Sequence, residues 1–202
     1  MIINKGVSWF GKDSVIFAEH ITKDLNGMSF EKTLDLCTGT GIQAILSRKY
    51  SKRVIASDIR ERAIQNAILN SRINNLTDIT FVTSDLHKDI SEKYDLIMAN
   101  PPYGIVSKNP DDKEYGLHTV FELIENLDNY LKSRGMAKII TESAVKNGKD
   151  MVLEKIKQVF GNKDYTIVLT PLNYHINKPL FKLVHKEYGI SYIPLYIITF
   201  RK

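Results

Sequence analysis

Cysteine is nearly absent from this chain, and long apolar runs are absent altogether. The single cysteine, Cys37, has no partner for an internal disulfide, which favours a reducing compartment. The strongest apolar stretch, at residues 193–200, is far shorter than the roughly 20 residues that a membrane-spanning helix requires. The opening residues MIINKGVSWFGKD are too polar for a secretory signal peptide. These absences predict a cytoplasmic protein with no membrane association.

Metal-ligand spacing is also missing from the sequence. The five histidines do not recur at the intervals of zinc sites, and only one cysteine could join them. We therefore expect no metal ion. Cys37 lies inside a glycine-rich turn, where a small residue is needed, so simple burial is a more common role for it than nucleophilic catalysis.

The composition that is present is that of an ordinary globular domain. The 202 residues are 43% hydrophobic and 25% charged, and they contain no internal repeat or low-complexity run. This length is enough for one domain with a substantial core. We predict a single domain over residues 1–202, which begins with an N-terminal segment and helix at residues 1–30.

Strand-like and helix-like segments alternate along the chain. Strands are predicted at residues 32–37, 53–59, 79–86, 94–99, 136–141, 165–172 and 192–200. Helices are predicted at residues 42–50, 61–73, 117–131 and 151–160, and a further helix that Asp13 caps runs to about Leu25. The alternation predicts an α/β fold with a Rossmann-like, doubly wound, seven-stranded sheet. This sheet is expected to be mostly parallel with the last strand antiparallel, and helices cover both of its faces.

The stretch LDLCTGTGIQA, residues 34–44, is a strand, a glycine-rich turn and a helix start. Gly39 and Gly41 let the backbone approach a ligand closely, and their spacing fits a dinucleotide-binding fingerprint. Asp58 ends the second predicted strand 17 residues after Gly41, where a carboxylate can accept both hydroxyls of a ribose. The turn therefore predicts a cofactor that contains adenosine.

Two further aspartates indicate which cofactor this is. Asp85 follows the third predicted strand in VTSDL, where it can accept the amino group of an adenine. Asp35 precedes the glycines, where it suits an ammonium group and would repel a pyrophosphate. Together with Asp58, these residues favour S-adenosyl-L-methionine over NAD.

The stretch MANPPYG, residues 98–104, ends the fourth predicted strand on two prolines. Proline has no N–H to donate to a sheet, so the strand must stop there. The Asn100 side-chain carbonyl and the Pro101 backbone carbonyl can each accept one N–H from a planar NH2 group. Pro101 and Pro102 stiffen this corner, and Tyr103 offers a ring on which a planar group can stack. The corner is therefore predicted to clamp an amide or aromatic amine while charge develops on its nitrogen.

The motifs LDLCTGTG, ASD, TSDL and DLIMANPPYG resemble, in order and spacing, those of class I S-adenosylmethionine-dependent methyltransferases with the NPPY signature. This group includes adenine-amine methyltransferases, release-factor glutamine methyltransferases and the RNA enzymes of the small methyltransferase domain. The resemblance covers motifs from about residue 8 to residue 143. It implies that residues 1–202 form a single methyltransferase domain with S-adenosyl-L-methionine as its cofactor.

The resemblance also implies a set of site residues. The methionine part of the cofactor is expected at the glycine turn, the ribose at Asp58, and the adenine at Asp85 and Leu86. GKDSVIFAEH, residues 11–20, is similar to the first helix of these enzymes, which places Ser14 near the cofactor. The full set expected to bind the cofactor is Ser14, Asp35, Cys37, Thr38, Gly39, Gly41, Asp58, Ile59, Asp85, Leu86 and Asn100. The residues expected to act in catalysis are Asn100, Pro101, Pro102 and Tyr103, and Tyr103 is also expected to bind the acceptor. Cys37 departs from the wider class, in which glycine is frequent at this position.

The sequence leaves the methyl acceptor open among three classes. Adenine in RNA or DNA is ranked first, because the net charge is +5 and residues 171–202 carry five basic side chains against one acidic side chain. A glutamine side-chain amide of a release-factor-like protein fits the NPPY corner equally well, and a small-molecule amine is the third class. A binding protein without catalysis is disfavoured because the cofactor aspartates and Asn100 are all present, and an NAD reductase because no hydride-transfer acid is apparent.

Residues 171–191 are predicted to be an acceptor-recognition insertion between the last two strands. Lys178, Lys182 and Lys186 recur there at intervals of four, which places them along one helix face that suits a phosphate backbone. A surface helix with solvated lysines is the competing interpretation. The oligomeric state is not predicted.

Overall fold

The computed structural model of the protein describes residues 11–103, 116–172 and 189–202. The helices in these ranges are α1 (Lys12–Asp24), α2 (Ile42–Ser47), α3 (Glu61–Ile73), α4 (His118–Tyr130) and α5 (Met151–Phe160). The strands are β1 (Phe30–Leu36), β2 (Ser51–Asp58), β3 (Ile79–Thr83), β4 (Tyr94–Ala99), β5 (Leu131–Glu142), β6 (Val145–Lys146), β7 (Lys149–Asp150), β8 (Thr166–Leu172), β9 (Ile190–Tyr192) and β10 (Leu195–Arg201). Within the same ranges, no helix is long and apolar enough to cross a membrane.

Seven of these strands form one sheet in the order β3-β2-β1-β4-β5-β10-β8. The first five strands are parallel to one another, whereas β10 is antiparallel to both β5 and β8. The predicted seven-stranded, Rossmann-like layout is thus confirmed. The chain reverses its winding direction between β1 and β4, and in such sheets a ligand crevice opens at the carboxyl ends of those two strands.

The central strand β4 shows how helices come to cover both faces of the sheet. Its side chains alternate between the faces, and the apolar ones at residues 96–99 are all buried. Leu96 and Met98 pack in the core beneath α1, whereas Ile97 and Ala99 pack in the core beneath α4 and α5. A strand that is apolar on both faces must be buried on both faces, and the polar corner that follows it at Asn100 lines the crevice.

An ion pair between a buried lysine and a part-exposed aspartate fixes α1 to the sheet. Lys138 of β5 has a fully buried side chain, and its Nζ donates to Asp24 Oδ2 at 2.6 Å and to Thr199 Oγ1 at 3.0 Å. Burial lowers the pKa of Lys138, while Asp24 opposes that shift. Removing Asp24 would leave the buried Lys138 ammonium group without its carboxylate partner, which is destabilising. The pair therefore anchors the C-terminal end of α1, and the N-terminal end of the same helix reaches the crevice.

Several details differ from the sequence prediction. Gly11 is the N-cap of α1 and Asp13 lies in the first turn, so the predicted Asp13 cap is wrong. The predicted strand at residues 192–200 is divided, because Ile193 and Pro194 leave the sheet between β9 and β10. β9 instead joins β6 and β7 in a small antiparallel sheet that the sequence did not predict.

Candidate active site

A cavity of about 700 Å³ opens at the carboxyl edge of the sheet. Its wall is formed by the turns that follow β1, β2, β3 and β4, together with the first turns of α1 and α4. Every residue predicted to bind the cofactor or to act in catalysis lines this wall except Asp35 and Gly41. Those lining residues are Ser14, Cys37, Thr38, Gly39, Asp58, Ile59, Asp85, Leu86, Asn100, Pro101, Pro102 and Tyr103. The fold thus brings together motifs that are spread over most of the first half of the chain.

Some lining residues were missed by the sequence analysis. They are Asp13, Thr40, Ile42, Gln43, Arg60, Ser84, His118, Thr119 and Glu122. Several of them are direct neighbours of motif residues, so a wider motif window would have found them. The residues of α4 gave no local signal, because only the packing of α4 on the sheet brings its first turns to the cavity. Lys178, Lys182 and Lys186 lie outside the described residues.

The glycine turn depends on backbone conformations that side chains disfavour. Gly39 and Gly41 have φ angles of 54° and 84°, and Cys37 has a φ of 59°. The left-handed φ of Cys37 accounts physically for the frequent glycine at this position in the resembling class. A Cβ atom on Gly41 would lie 3.0 Å from the Ala67 Cβ of α3, whereas one on Gly39 would meet only the Cys37 carbonyl oxygen, at 3.9 Å. Gly41 therefore permits helix packing, and Gly39 leaves open space at the cavity wall.

Asp35 lies behind this turn with 1% of its surface exposed. Its Oδ2 atom accepts the Thr38 hydroxyl at 2.6 Å and the Ala44 backbone N–H at 3.0 Å. Burial raises the pKa of Asp35 to about 7, although both hydrogen bonds favour the charged form. Direct contact of Asp35 and Gly41 with the cofactor stays a prediction, and the structure gives both residues a task in shaping the turn.

The raised pKa of Asp35 predicts a pH dependence of stability. The unfolded chain releases this proton near pH 4, so between about pH 4 and pH 7 only the folded protein retains it. Stability is therefore expected to fall as pH rises through that window and to level off above it. Asp35→Asn keeps an oxygen that accepts from both donors and removes the titrating group. As pH rises from 4 to 7, the free energy of unfolding of this variant should therefore increase by about 2–4 kcal/mol relative to that of wild type. Urea denaturation across the pH range measures this, and parallel curves would contradict it.

Asp58 presents its carboxylate to the cavity in a fixed orientation. The Gly39 backbone N–H donates to Oδ2 and the Arg60 backbone N–H to Oδ1, both at 3.0 Å. The residue is only 5% exposed, so these bonds are held largely out of water. Each carboxylate oxygen can accept more than one hydrogen bond, and the remaining capacity suits two neighbouring hydroxyl groups.

Cys37 contributes to the wall without being a nucleophile. Burial raises the pKa of its thiol, and the nearby carboxylates of Asp58 and Asp35 raise it further. A thiol attacks only as the thiolate, which this environment disfavours. Among the described residues, no group of histidine, cysteine or acidic side chains is arranged to hold a metal ion.

The loop after β3 bounds the cavity at Asp85 and Leu86. The predicted strand at residues 79–86 ends early, at Thr83, and the turn that follows contains Leu86 at a left-handed φ of 50°. The Ser84 hydroxyl accepts the Asp89 backbone N–H at 3.2 Å and closes this turn. Lys88 pairs with Asp85, and the hydrogen bond to Asp85 raises the pKa of Lys88.

Two side-chain hydrogen bonds join the corner after β4 to adjacent residues in the first turn of α1, Asp13 and Ser14. Asn100 Nδ2 donates to Ser14 Oγ at 2.9 Å, and the Tyr103 hydroxyl donates to Asp13 Oδ2 at 2.7 Å. Ser14 is in turn held by Gln43 of α2, whose Nε2 donates to the Ser14 carbonyl oxygen at 3.5 Å. The Asp13 carboxylate therefore does not cap the helix, and it accepts the Tyr103 hydroxyl instead.

Family comparison agrees with this geometry. The model of the methyltransferase small domain family matches residues 8–169. A provisionally named protein N5-glutamine methyltransferase of Methanocaldococcus jannaschii is 29% identical over 157 residues, which cover 72% of this chain and 76% of that protein. The release factor glutamine methyltransferase of Thermodesulfovibrio yellowstonii is 29% identical over 157 residues, which cover 64% of this chain and 56% of that enzyme. The chain therefore spans little more than half the length of this bacterial relative.

Solved structures show the same fold. The ribosomal protein L11 methylase of Lactobacillus delbrueckii subsp. bulgaricus superposes with a TM-score of 0.66 at 21% identity, over 95% of this chain and 80% of that one. A methyltransferase-like protein in complex with S-adenosylhomocysteine superposes with a TM-score of 0.63 at 17% identity, over 91% of this chain and 48% of that one. From its motifs, fold and family match, the chain belongs to the methyltransferase small domain family and is an S-adenosylmethionine-dependent methyltransferase.

Proposed function

We propose that this enzyme methylates the side-chain amide nitrogen of a glutamine in a protein of the release-factor type. The observation that carries the reaction class is Asn100, which the structure holds at the cavity wall together with Pro101 and Tyr103. The relatives named for glutamine methylation support the acceptor. The initial ranking, which put adenine in RNA or DNA first, is therefore reversed.

The volume of the cavity and the carboxylates that line it support this cofactor assignment. Asp58 would hold the ribose hydroxyls, the turn at Thr38 and Gly39 the methionine part, and the loop at Asp85 and Leu86 the adenine. Gly39 fits this role because a Cβ there would meet no close neighbour, so the wall is open to a ligand. When bound, S-adenosylmethionine supplies a methyl group already activated by its sulfonium.

Asn100 and Pro101 would act on the acceptor through their carbonyl oxygens. An amide nitrogen is a weak nucleophile because its lone pair is delocalised into the neighbouring carbonyl. Two carbonyl oxygens that accept its N–H groups fix the nitrogen in place and stabilise the positive charge that develops on it. The nitrogen then loses one proton to solvent, so no strong base is required. The Tyr103 ring offers a face on which the planar amide can stack.

Charge at the cavity supports a protein acceptor over a nucleic acid. Among the described residues that line the wall, the formally charged side chains are Asp13, Asp58, Asp85 and Glu122, which are acidic, and Arg60, which is basic. Phosphates approaching such a wall are repelled, whereas a neutral glutamine amide is not. The basic segment that favoured RNA or DNA in the sequence lies mainly outside the described residues.

Asp58→Ala tests the cofactor assignment. The variant is expected to bind S-adenosylhomocysteine about 10–100-fold more weakly, because charge-assisted hydrogen bonds to the ribose are lost. Asp164→Ala is a matched control, because Asp164 is an exposed aspartate of the loop before β8. Calorimetry measures both, with NADH as a ligand that should not bind wild type. NADH binding without S-adenosylhomocysteine binding would overturn the assignment.

The acceptor is tested by a transfer assay with labelled S-adenosylmethionine. A purified release factor, ribosomal protein L11, and total RNA are offered separately, and Asn100→Ala serves as the blank. We expect wild type to transfer label to the release factor and Asn100→Ala to transfer none. Label confined to RNA would restore the adenine interpretation, and label confined to L11 would keep a protein acceptor of a different identity.

A further inference from the structure

Ser14 lies where the cofactor side and the acceptor side of the cavity meet. It is 7% exposed and lines the wall, and its hydroxyl oxygen accepts the Asn100 carboxamide NH2 across 86 positions of sequence. Its backbone carbonyl is bound by Gln43, which follows the glycine turn in α2. Asp58 and Asp85 mark the adenosine side, so Ser14 lies toward the opposite, amino-acid end of a bound cofactor.

The orientation of the Asn100 carboxamide decides whether it can bind an acceptor amine. One end of this group is a carbonyl oxygen and the other an NH2, and the two ends have nearly the same shape. Only the oxygen can accept an N–H of the acceptor, and an NH2 in that place would face another donor. A serine hydroxyl can either donate or accept, so by itself it tolerates both orientations of Asn100.

A partner that accepts the Ser14 hydroxyl proton removes this ambiguity. Building on the proposed function, we propose that Ser14 is a positioning residue that transmits cofactor occupancy to the acceptor clamp. Its O–H donates to the amino-acid carboxylate of the bound cofactor, so its oxygen can only accept from Asn100 Nδ2. Asn100 Oδ1 is then turned toward the acceptor nitrogen. Asp13 supports the same clamp independently, since a carboxylate can only accept from the Tyr103 hydroxyl.

The orientation is measured without any acceptor by NMR of the Asn100 side-chain NH2, which is assigned by its loss in Asn100→Asp. In wild type, S-adenosylhomocysteine is expected to slow hydrogen exchange of this NH2 group by about 10-fold or more. Adenosine, which lacks the carboxylate, should leave the exchange unchanged. Ser14→Ala should show no slowing with either ligand, and Ser14→Thr, which keeps the hydroxyl, should restore it. Equal exchange in wild type with both ligands, or slowing that persists in Ser14→Ala, would overturn the proposal.

A double-mutant cycle gives the catalytic consequence. Ser14→Ala is expected to lower kcat about 10-fold, because a carboxamide without its partner samples both orientations. A carboxylate presents an oxygen in either orientation, so in the Asn100→Asp background the same substitution should cost less than about 2-fold. Equal losses in the two backgrounds would assign Ser14 a merely structural role. If no acceptor is methylated, the proposed function fails while the NMR result still decides the role of Ser14.

Discussion

Asn100→Ala is expected to lower methyl transfer about 1,000-fold and to leave the affinity for S-adenosylhomocysteine within a few-fold of wild type. The Asn100 carbonyl interacts most strongly with the acceptor nitrogen as positive charge develops, so its loss appears mainly in kcat. The side chain lies at the end of β4, where its NH2 group bonds Ser14, whereas the carboxylates expected to hold the adenosine part, Asp58 and Asp85, lie at the end of β2 and just after β3. Single-turnover kinetics and calorimetry measure the two quantities separately.

Asn129→Ala is the matched control for this substitution. Asn129 is an exposed asparagine near the end of α4, away from the cavity lining, and its loss should leave both quantities unchanged. Substantial turnover by Asn100→Ala would remove this residue from catalysis. A parallel loss of cofactor affinity would instead assign Asn100 to cofactor binding.

Gly41→Ala is expected to destabilise the fold by about 3 kcal/mol. The left-handed φ of 84° disfavours any side chain, and the new methyl group would press on Ala67, whose Cα would lie 3.2 Å away. Ala67 is fully buried in α3, so the contact can relax only if α3 moves away from the turn. Urea denaturation measures the loss.

Gly27→Ala separates the two causes. Gly27 has a similar φ of 81°, but an added Cβ there would meet no atom within 4 Å. Its substitution should therefore cost only about 1 kcal/mol, the conformational part. Equal losses at the two positions would show that the approach of Gly41 to α3 is not what requires glycine.

Local patterns predicted the elements whose signals are local. Predictions for α3, β4 and α5 match their observed bounds because the apolar pattern of each segment is continuous and ends at polar, proline or glycine residues. β5 begins five residues before its predicted start at Met136, because the strand passes through Arg134 at a left-handed φ of 62°. The Ser-Arg-Gly sequence at residues 133–135 is typical of a turn, and it forms an irregularity in the pairing with β4, between the pairs that Leu131 and Met136 make.

In the candidate site, too, some features follow from local sequence patterns and others depend on the folded structure. Motif residues such as Asp58 and Asn100 were found because the carboxyl ends of parallel strands meet at one edge. The bond between Asp13 and Tyr103 joins positions 90 residues apart, so no local pattern predicts it. The prediction that Asp35 suits the ammonium group of the cofactor rests on its place before the glycines, and it stays a prediction. The hydrogen bonds of Asp35 within the turn depend on burial, which only the folded structure reveals.

Peptide mass spectrometry of a release factor incubated with this enzyme and S-adenosylmethionine tests the central claim most directly. We expect one added methyl group on the side-chain nitrogen of a single glutamine, and none when Asn100→Ala replaces the wild-type enzyme. A release factor that stays unmodified while adenine in RNA gains the methyl group would contradict it.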